Sequence, residues 1–553
     1  MLLWLRQYHR ALLAGDMTAG IIVVLMMVPQ GMAYAMVAGL PPVAGLYASL
    51  LPAVAYALFG SSMVQSVGPM AITSLMTATS LAGLAPVGSE LYSAMAAQMT
   101  LIAGVVLFLC GFLRLGFLAQ FLSRPVLSGF TSGAALVIAA SQLSTLLGGS
   151  LQQINIPGAV VGLTSLLLLW LARQYLMNLL KGLGLPAKGA DILAKTAPVL
   201  VLALATLSVV WFDLQAVGVQ VVGQVPSGLP ALGMALSLEQ LSQLLMPSLL
   251  IGFMIFLSSQ SAAVSLAQKR SERINATHEL LGLGAANLAS AVSGGFPVTG
   301  SISRSAVNYT AGANTPLAGL ITSGLMALLL SGPTGWMSPL PLGALAATIM
   351  IAVLGMLDFE TPREAWRYDR DDALAWGITL AGVLLLGVEE GVVVGLLLSL
   401  GTLIARASRP HIATIGRIPG SEHFRNVSRH NVETHPALLL LRVDAGIFFG
   451  NAERISDSVL ESLSDAHREV VLVMSAVNQI DTTGLYTLAE LNRSLSRRNV
   501  RLHLAEVKGP IMDRLKLSNL LLGTLTGKVY LSTAEAFVQL SSTPEESSAA
   551  TSN

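Results

Sequence analysis

The chain has 553 residues, of which 53% are hydrophobic and only 11% are charged. Soluble domains contain about 25% charged residues, so this composition is typical of a protein that lies mostly in a membrane. The formal net charge of +1 argues against a nucleic-acid partner, which would require a strongly basic surface.

Apolar segments with short breaks fill residues 1–408. A helix needs about 20 apolar residues to cross the hydrocarbon core. On this basis we predict about fourteen segments in an all-α membrane domain, at residues 17–38, 42–59, 68–83, 94–113, 126–147, 157–179, 195–213, 244–267, 275–293, 302–312, 315–332, 341–357, 373–388 and 390–405. Residues 409–542 predict a small soluble domain, and the polar residues 543–553 predict a disordered tail.

Two of these segments, 68–83 and 302–312, are too short to cross the bilayer as complete helices. Each follows a stretch interrupted by Gly and Pro, at 66–69 and 295–300. They are the third and the tenth segments, as expected for two inverted repeats of seven spans. Short interrupted segments at corresponding positions of two halves indicate the binding site of a transporter.

Basic residues before the first span and in alternate loops all fall on one side of the predicted topology. The intervening loops, such as 148–156 and 214–243, contain no Lys or Arg. The positive-inside rule therefore places the N-terminus and the soluble domain in the cytoplasm. The predicted location is the cell's inner (plasma) membrane, with the lipid bilayer as a partner.

Arg304 is the only Lys or Arg between Arg273 and Arg363. An ionisable residue at membrane depth is costly and indicates a functional site. Two helix N-termini that face one cavity can hold an anion without a metal, because each carries unpaired N–H groups. We expect Pro69 in the first turn of one short helix and Ser303 as the cap of the other. Arg304 would then supply a full charge and several donors.

Further polar residues lie on two other predicted spans. Gln30 and Tyr34 are four residues apart and share a helix face. Ser258 and Gln260 belong to a polar run in the eighth span. Each of these groups could contact a ligand, but could equally be a polar or packing contact between helices.

No carboxylate is predicted near the middle of the membrane, since Asp16, His278 and Glu279 lie near span ends and are expected at the interface. Whether H⁺ or Na⁺ drives transport is therefore left open. Eight histidines lack metal-ligand spacing, and there is no Gly-rich phosphate loop. We therefore predict neither an enzyme nor a metal site.

The soluble part alternates strand-like and helix-like segments, which indicates an α/β domain with a mainly parallel sheet. Buried strands are predicted at 437–443, 470–474 and 500–504, and amphipathic helices at 451–464 and 483–497. Asp481, which is followed by two threonines, is predicted to cap the second helix.

Five blocks resemble the SulP (sulfate permease) family: VPQGMAYA (28–35), AGLPPVAGLYA (38–48), ALFGSS (57–62), SVGP (66–69) and FPVTGSISRSAVN (296–308). The resemblance implies a uracil-permease-like fold of seven plus seven spans, a core domain that moves against a gate domain, and a homodimer. It also implies that the soluble part is a STAS domain, in which Thr482 is a regulatory candidate because related domains are phosphorylated there.

With the family's ligand positions carried over, the predicted substrate site comprises Gln30, Tyr34, Gly68, Met70, Ala71, Ser258, Gln260, Ser301, Ser303 and Arg304. Many bacterial members have a Glu in the eighth span, where this chain has Ser258 or Gln260. This departure leaves the coupling ion undetermined.

The sequence therefore predicts a secondary active transporter of sulfate or a related oxyanion or dicarboxylate, working by an elevator-like mechanism. The alternative within this fold is a bicarbonate or chloride transporter, or a channel-like member. A nucleobase permease would instead need an acidic residue facing its substrate, and Arg304 argues against it. A membrane-anchored signalling protein would need neither Arg304 nor the paired short segments.

Overall fold

The computed structural model describes residues 3–6, 8–117, 123–149, 154–233, 240–518 and 520–542. The chain divides into two compact units, Met1–Ser399 and Leu400–Asn553. Helix boundaries place the end of the last long apolar helix at Ser408. The tail predicted at 543–553 lies outside the described residues.

The first half of the membrane unit consists of helices with one short strand. Its elements are α1 (Leu3–Arg6), α2 (Arg10–Val37), α3 (Pro42–Tyr47), α4 (Leu51–Phe59), β1 (Val67–Gly68), α5 (Ala71–Leu81), α6 (Glu90–Phe112), α7 (Arg124–Ser141), α8 (Leu143–Leu146), α9 (Ile156–Leu171), α10 (Met177–Gly182), α11 (Ala187–Lys195) and α12 (Ala197–Trp211). A π-helical turn at Ala172–Leu176 joins α9 to α10.

The second half of the membrane unit also consists of helices with one short strand. Its elements are α13 (Leu241–Arg270), α14 (Ala276–Val292), β2 (Thr299–Gly300), α15 (Ile302–Ala311), α16 (Leu317–Ser331), α17 (Leu342–Leu354), α18 (Glu360–Tyr368), α19 (Arg370–Leu385) and α20 (Val388–Ser408). Each predicted apolar segment coincides with one of these helices or with a pair of them. The small helices α1, α11 and α18 were not predicted.

Six helical stretches among the described residues are long and apolar enough to cross a membrane, and a bent pair, α11 with α12, adds a seventh. The segment predicted at 42–59 is broken between α3 and α4. Prolines at the first turn of both helices, Pro42 and Pro52, are compatible with this break. The short helices α5 and α15 have 11 and 10 residues, in agreement with the two short segments that the sequence predicts.

The two interrupted stretches meet in the interior of the membrane unit. β1 and β2 pair in an antiparallel manner, with Val67 opposite Gly300 and Gly68 opposite Thr299. The pairing continues beyond the strands, because the backbone N–H of Ser301 donates to the carbonyl of Ser66 at 3.1 Å. This small sheet brings the start of α5 and the start of α15 together.

The second unit contains a six-stranded sheet in the order β4-β3-β5-β6-β7-β8. Its strands are β3 (Ile412–Arg417), β4 (Phe424–Asn426), β5 (Leu438–Val443), β6 (Glu469–Val473), β7 (Arg501–Ala505) and β8 (Val529–Tyr530). β5 to β8 run parallel, whereas β3 is antiparallel to both of its neighbours.

Four helices complete the second unit: α21 (Ala452–Glu461), α22 (Thr482–Arg497), α23 (Gly509–Lys516) and α24 (Thr533–Ser541). The three predicted strands and two predicted helices are confirmed within a few residues. β3, β4, β8, α23 and α24 were not predicted, because short strands and helices carry little periodicity.

Candidate functional site

Arg304 lies in the first turn of α15 and is 1% exposed. Its Nη1 donates to the carbonyl oxygen of Pro69 at 2.6 Å. Its Nε and Nη2 are buried and have no hydrogen-bond partner among the described residues, and no described carboxylate forms an ion pair with it. The guanidinium is therefore anchored at one nitrogen and unpaired at two others.

Unpaired donors on a buried cation are energetically unfavourable. Leaving a buried donor without an acceptor costs about 1–3 kcal/mol, and more when the group is charged. A group with two free N–H donors in a fixed fork matches an anion that has two or more oxygens. The geometry of Arg304 therefore favours occupation by an anion.

The cap of α15 differs from the prediction. Ser301 is the N-cap residue, with φ −104° and ψ 124°, and its Oγ accepts from the backbone N–H of Arg304 at 3.4 Å. Ser303 is the second helical residue, and its Oγ lies 3.4 Å from that of Ser301. The predicted capping role of Ser303 is wrong, because a cap must have the extended backbone that Ser301 adopts.

The start of α5 also differs by two residues from the prediction. Met70 is the N-cap, with extended φ −144° and ψ 148°, and Ala71 is the first helical residue. Pro69 therefore precedes the cap and is not in the first turn, so its carbonyl is free to accept from Arg304. A Cβ on Gly68 would lie 3.4 Å from Nη2 of Arg304 and 2.9 Å from Cε of Met27. Glycine thus keeps the space beside the unpaired guanidinium nitrogen open.

The polar run of α13 reaches this region at one point. Ser258 Oγ lies 3.6 Å from Sδ of Met70, as a weak donor to sulfur. Gln260 has a buried Oε1 without a partner among the described residues. Ser259, which the predicted site omitted, accepts a hydrogen bond from the Nε2 of Gln65 at its carbonyl.

Gln30 and Tyr34 are buried on α2, at 8% and 7% exposure. Neither side chain has a hydrogen-bond partner in the part of the chain that the structure describes, and Tyr34 interacts electrostatically with Arg304. The structure thus associates Tyr34, Gly68, Ser301 and Arg304. It records no contact of Gln30, Ala71 or Gln260 with Arg304; Gln30 and Ala71 are buried, and Gln260 is half-buried.

Two carboxylates that were expected at the membrane interface are buried within the protein. Asp16 and Glu279 are both 0% exposed. Asp16 accepts from the backbone N–H groups of Asn314 and Thr315, at 2.6 and 3.1 Å, and from the Thr315 hydroxyl at 2.7 Å. The sequence predicted only that they lie near span ends; their burial depends on hydrogen-bond donors from segments distant in sequence.

In the second unit, Asp481 is the N-cap of α22, as predicted: its Oδ1 accepts from the N–H of Gly484 at 2.7 Å. Its Oδ2 accepts from the N–H of Phe449 at 2.9 Å. Thr482, the regulatory candidate, is the first helical residue and is exposed. A hydroxyl at an exposed helix start is accessible to modification.

Two family models match the chain. The family model described as "Sulfate permease family" matches residues 13–379, and that of the STAS domain matches residues 429–536. The chain belongs to the sulfate permease family. The family is one of transporters and not of enzymes.

Relatives of this permease-family chain include two proteins named as sulfate transporters. It is 35% identical over 523 residues to probable sulfate transporter 4.2 of Arabidopsis thaliana, covering 90% of this chain and 77% of the relative. It is also 35% identical over 523 residues to a probable sulfate transporter of Mycobacterium tuberculosis, covering 93% of each.

Solved structures share the fold of this family member. The structure of SLC26A9 superposes with a TM-score of 0.88 at 20% identity, over 99% of this chain and 93% of that one. The transmembrane domain of the cyanobacterial bicarbonate transporter BicA superposes with a TM-score of 0.59 at 22% identity, over 71% of this chain and 99% of that domain. The chain therefore has an SLC26-like helical membrane fold with an α/β STAS domain.

Proposed function

We propose that this protein is a secondary active transporter that moves sulfate or a related oxyanion or dicarboxylate. One observation carries the proposal: at the point where two helices begin, the buried guanidinium of Arg304 has two nitrogens without a partner in the described part of the chain. The names of the relatives, which are sulfate transporters, agree with an anionic substrate.

The proposed anion site keeps the residues predicted from the sequence. Arg304 supplies the charge, the N-termini of α5 and α15 supply their dipoles, and Gly68 supplies space. The remaining members are Gln30, Tyr34, Met70, Ala71, Ser258, Gln260, Ser301 and Ser303, all of which lie on α2, on α13 or at the two helix starts.

We further propose fourteen spans in two inverted repeats, which work as an elevator-like homodimer in the inner (plasma) membrane. The antiparallel pairing of β1 with β2, each before a short helix, supports an inverted relation between two halves. The transport domain would comprise residues 1–408 and the cytoplasmic STAS domain residues 409–542. Thr482 would be a regulatory site, since it is exposed at the start of α22.

Uptake into proteoliposomes tests the function. With radiolabelled sulfate, fumarate and uracil, we expect uptake of at least one anion and none of uracil. Uracil uptake without uptake of either anion would refute the proposal. Competition by bicarbonate or chloride would identify the alternative substrates, which a single guanidinium could also bind.

Replacing Arg304 tests the site itself. We expect Arg304→Ala to abolish uptake and to weaken anion binding by at least about 2 kcal/mol, because a charge-assisted hydrogen bond and a full charge are lost. Arg363→Ala, which removes an exposed arginine on α18, is the matched control and should transport normally. Normal uptake by a folded Arg304→Ala variant would place the anion elsewhere.

A further inference from the structure

Glu279 is a fully buried carboxyl group in the first turn of α14 whose two oxygens have different surroundings. Oε1 accepts from the N–H and the hydroxyl of Ser61, at 2.9 and 2.7 Å, and from the N–H of Ser62 at 3.2 Å. Among the described residues Oε2 has one hydrogen-bond neighbour, the hydroxyl of Tyr56 at 2.8 Å, and the same hydroxyl also lies 2.9 Å from Oε1. No ion pair joins Glu279 to any residue that the structure describes.

The hydroxyl of Tyr56 has a second close acceptor, Oε1 of Gln65 at 2.9 Å. The orientation of the Gln65 amide is fixed from its other side, because its Nε2 donates to the carbonyl of Ser259 at 3.2 Å and also contacts the Ser259 hydroxyl. A rotated amide would set its oxygen against that carbonyl. Gln65 Oε1 therefore depends on Tyr56 for a hydrogen.

The number of hydrogens decides between the two forms of Glu279. A tyrosine hydroxyl carries one hydrogen. If Glu279 is ionised, this hydrogen must serve both the carboxylate and Gln65, and one buried oxygen is left unpaired, at a cost of about 1–3 kcal/mol. If Oε2 carries a proton, it donates to Tyr56, Tyr56 donates to Gln65, and all these oxygens are paired.

We infer that Glu279 is a proton-binding site of the transport domain, with the proton on Oε2 in the conformation described. Binding forms one O–H bond at Oε2 with a proton delivered by water, and release returns it to water. This inference rests on the proposed transport function, to which it adds the proton as coupling ion.

A small cavity lies beside Tyr56 and Gln65, and Gln65 is close along the chain to the anion site. A cavity of about 20 Å³ is bordered by Tyr56, Gln65 and Asn308, and the Oδ1 of Asn308 is buried without a partner among the described residues. A space of about 10–15 Å³ with polar neighbours suffices for one water. Loss of the proton would leave Gln65 to share the Tyr56 hydrogen with the carboxylate. Gln65 precedes Ser66, whose carbonyl accepts from the N–H of Ser301 beside Arg304.

Other charged groups do not compensate the carboxyl. On its own helix, His278 is adjacent in sequence. The helices packed against α14 are α4, α6 and α13. Their titratable or charged side chains are Tyr56, Glu90, Tyr92, Cys110, Lys269 and Arg270. Of these, only Tyr56 contacts Glu279, while Arg270 binds Glu272 and the carbonyls of Ala313 and Asn314. The helix dipole at the start of α14 favours the ionised form of Glu279. The hydrogen count favours the protonated form, so the two effects oppose each other.

Asp16 provides an internal control. All three of its donors are groups whose hydrogens point at the carboxylate, namely the N–H of Asn314 and the N–H and hydroxyl of Thr315. Among the described residues no other acceptor competes with Asp16 for these hydrogens, so the same count leaves no oxygen unpaired there.

Infrared difference spectroscopy of the full-length protein in liposomes tests the proton directly. At neutral pH we expect the carbonyl stretch of a protonated carboxylic acid in the wild type, its loss in Glu279→Gln, and its retention in Asp16→Asn. Tyr56→Phe should shift this band to higher frequency, because the acid loses its hydrogen-bond acceptor; this measurement does not depend on how well Glu279→Gln folds. Carboxylate bands alone, with no acid band that depends on Glu279, would overturn the inference.

Measurements of anion uptake with and without a proton gradient distinguish a failure of proton coupling from a failure of the proposed transport function. We expect an inward proton gradient to raise anion accumulation by the wild type, and the effect to vanish in Glu279→Gln while anion binding persists. Gln at 279 can accept from Ser61 and donate to Tyr56, as the protonated acid does. Wild-type anion uptake that ignores the proton gradient would overturn proton coupling alone. Absence of any anion uptake would instead refute the proposed function and leave the infrared result to stand by itself.

Discussion

At the scale of single residues, Arg304 has fewer hydrogen-bond partners than a buried arginine that only stabilises the fold. A buried arginine in a stable core is usually paired with a carboxylate or with several carbonyls. Here the carbonyl of Pro69 orients the guanidinium, and two of its nitrogens have no partner among the residues that the structure describes. The residue is thus held in place and still able to bind a ligand.

Replacement of Arg304 by Lys tests whether anion binding depends on the geometry of the guanidinium as well as on its charge. A lysine has a single ammonium group, which cannot both donate to Pro69 and present a fork of donors to an anion. We expect Arg304→Lys to weaken sulfate binding at least about tenfold, or about 1.4 kcal/mol, as measured by equilibrium binding to purified protein. Unchanged affinity would mean that a point charge suffices.

Asp444 in the STAS domain gives a prediction about pH. Hydrogen bonds from the guanidinium of Arg442, at 2.6 and 3.0 Å, hold the pKa of Asp444 below its usual value. A carboxyl whose pKa is lower in the folded state stabilises the fold above its unfolded pKa of about 3.9, and this stabilisation is lost as the pH falls through the folded pKa.

We therefore expect Asp444→Asn to lower the free energy of unfolding of the STAS domain at pH 7 by roughly 0.2–1 kcal/mol, a small effect because the pair is partly exposed. The unfolding temperature should fall accordingly. The difference from wild type should shrink below about pH 4. Circular dichroism during heating of the full-length protein measures both. Glu461→Gln, at an exposed carboxylate of α21, is the control; a difference independent of pH would contradict the argument.

At the scale of elements, close backbone contact positions the helix that carries Gln30 and Tyr34. α2 and α3 approach so closely that a Cβ on Gly45 would lie 1.8 Å from the carbonyl oxygen of Gly31. The atom it would meet is backbone, so no side-chain rotation can relieve the overlap. This contact fixes the face of α2 that belongs to the proposed site.

Gly45→Ala should consequently separate α2 from α3. Overpacking of this kind typically costs about 1–3 kcal/mol, and we expect a lower unfolding temperature together with weaker anion binding. Gly324→Ala is the matched control: Gly324 lies in α16, is exposed, and a Cβ added there would meet nothing within 4 Å. That exchange should be neutral or slightly stabilising because alanine favours helix. Equal effects of the two changes would exclude packing as the cause.

At the scale of the whole molecule, each unit has its own hydrophobic core. One cluster of buried side chains, which includes Met27, Phe130 and Phe296, lies within the membrane unit. Two others, which include Ile455 and Phe537, belong to the STAS domain. The proposed anion site and the proton site are built only from residues of the first unit.

Deletion of residues 409–553 should therefore leave anion binding while it lowers uptake or expression. Binding of sulfate to the purified truncated protein and uptake into liposomes would be measured beside the full-length chain. A truncated protein that is folded, as judged by its helical circular dichroism, but binds no anion would show that the STAS domain contributes to the site.

The sequence by itself determined the membrane class and the positions of the long helices, and it singled out Arg304 as the candidate anion ligand. These follow from local properties: hydropathy, the spacing of Gly and Pro, and one isolated charge. It also located the strands at 438–443, 469–473 and 501–505, because continuous apolar runs indicate buried parallel strands.

Only the tertiary structure decided which groups satisfy each other. Ser301 rather than Ser303 caps α15, the carbonyl of Pro69 holds Arg304, and Glu279 is buried against Tyr56 and Ser61. Glu279 and Tyr56 are 223 positions apart, so no local pattern could pair them. Burial of a polar group depends on partners brought close by folding, whereas membrane insertion depends on composition that can be read along the chain.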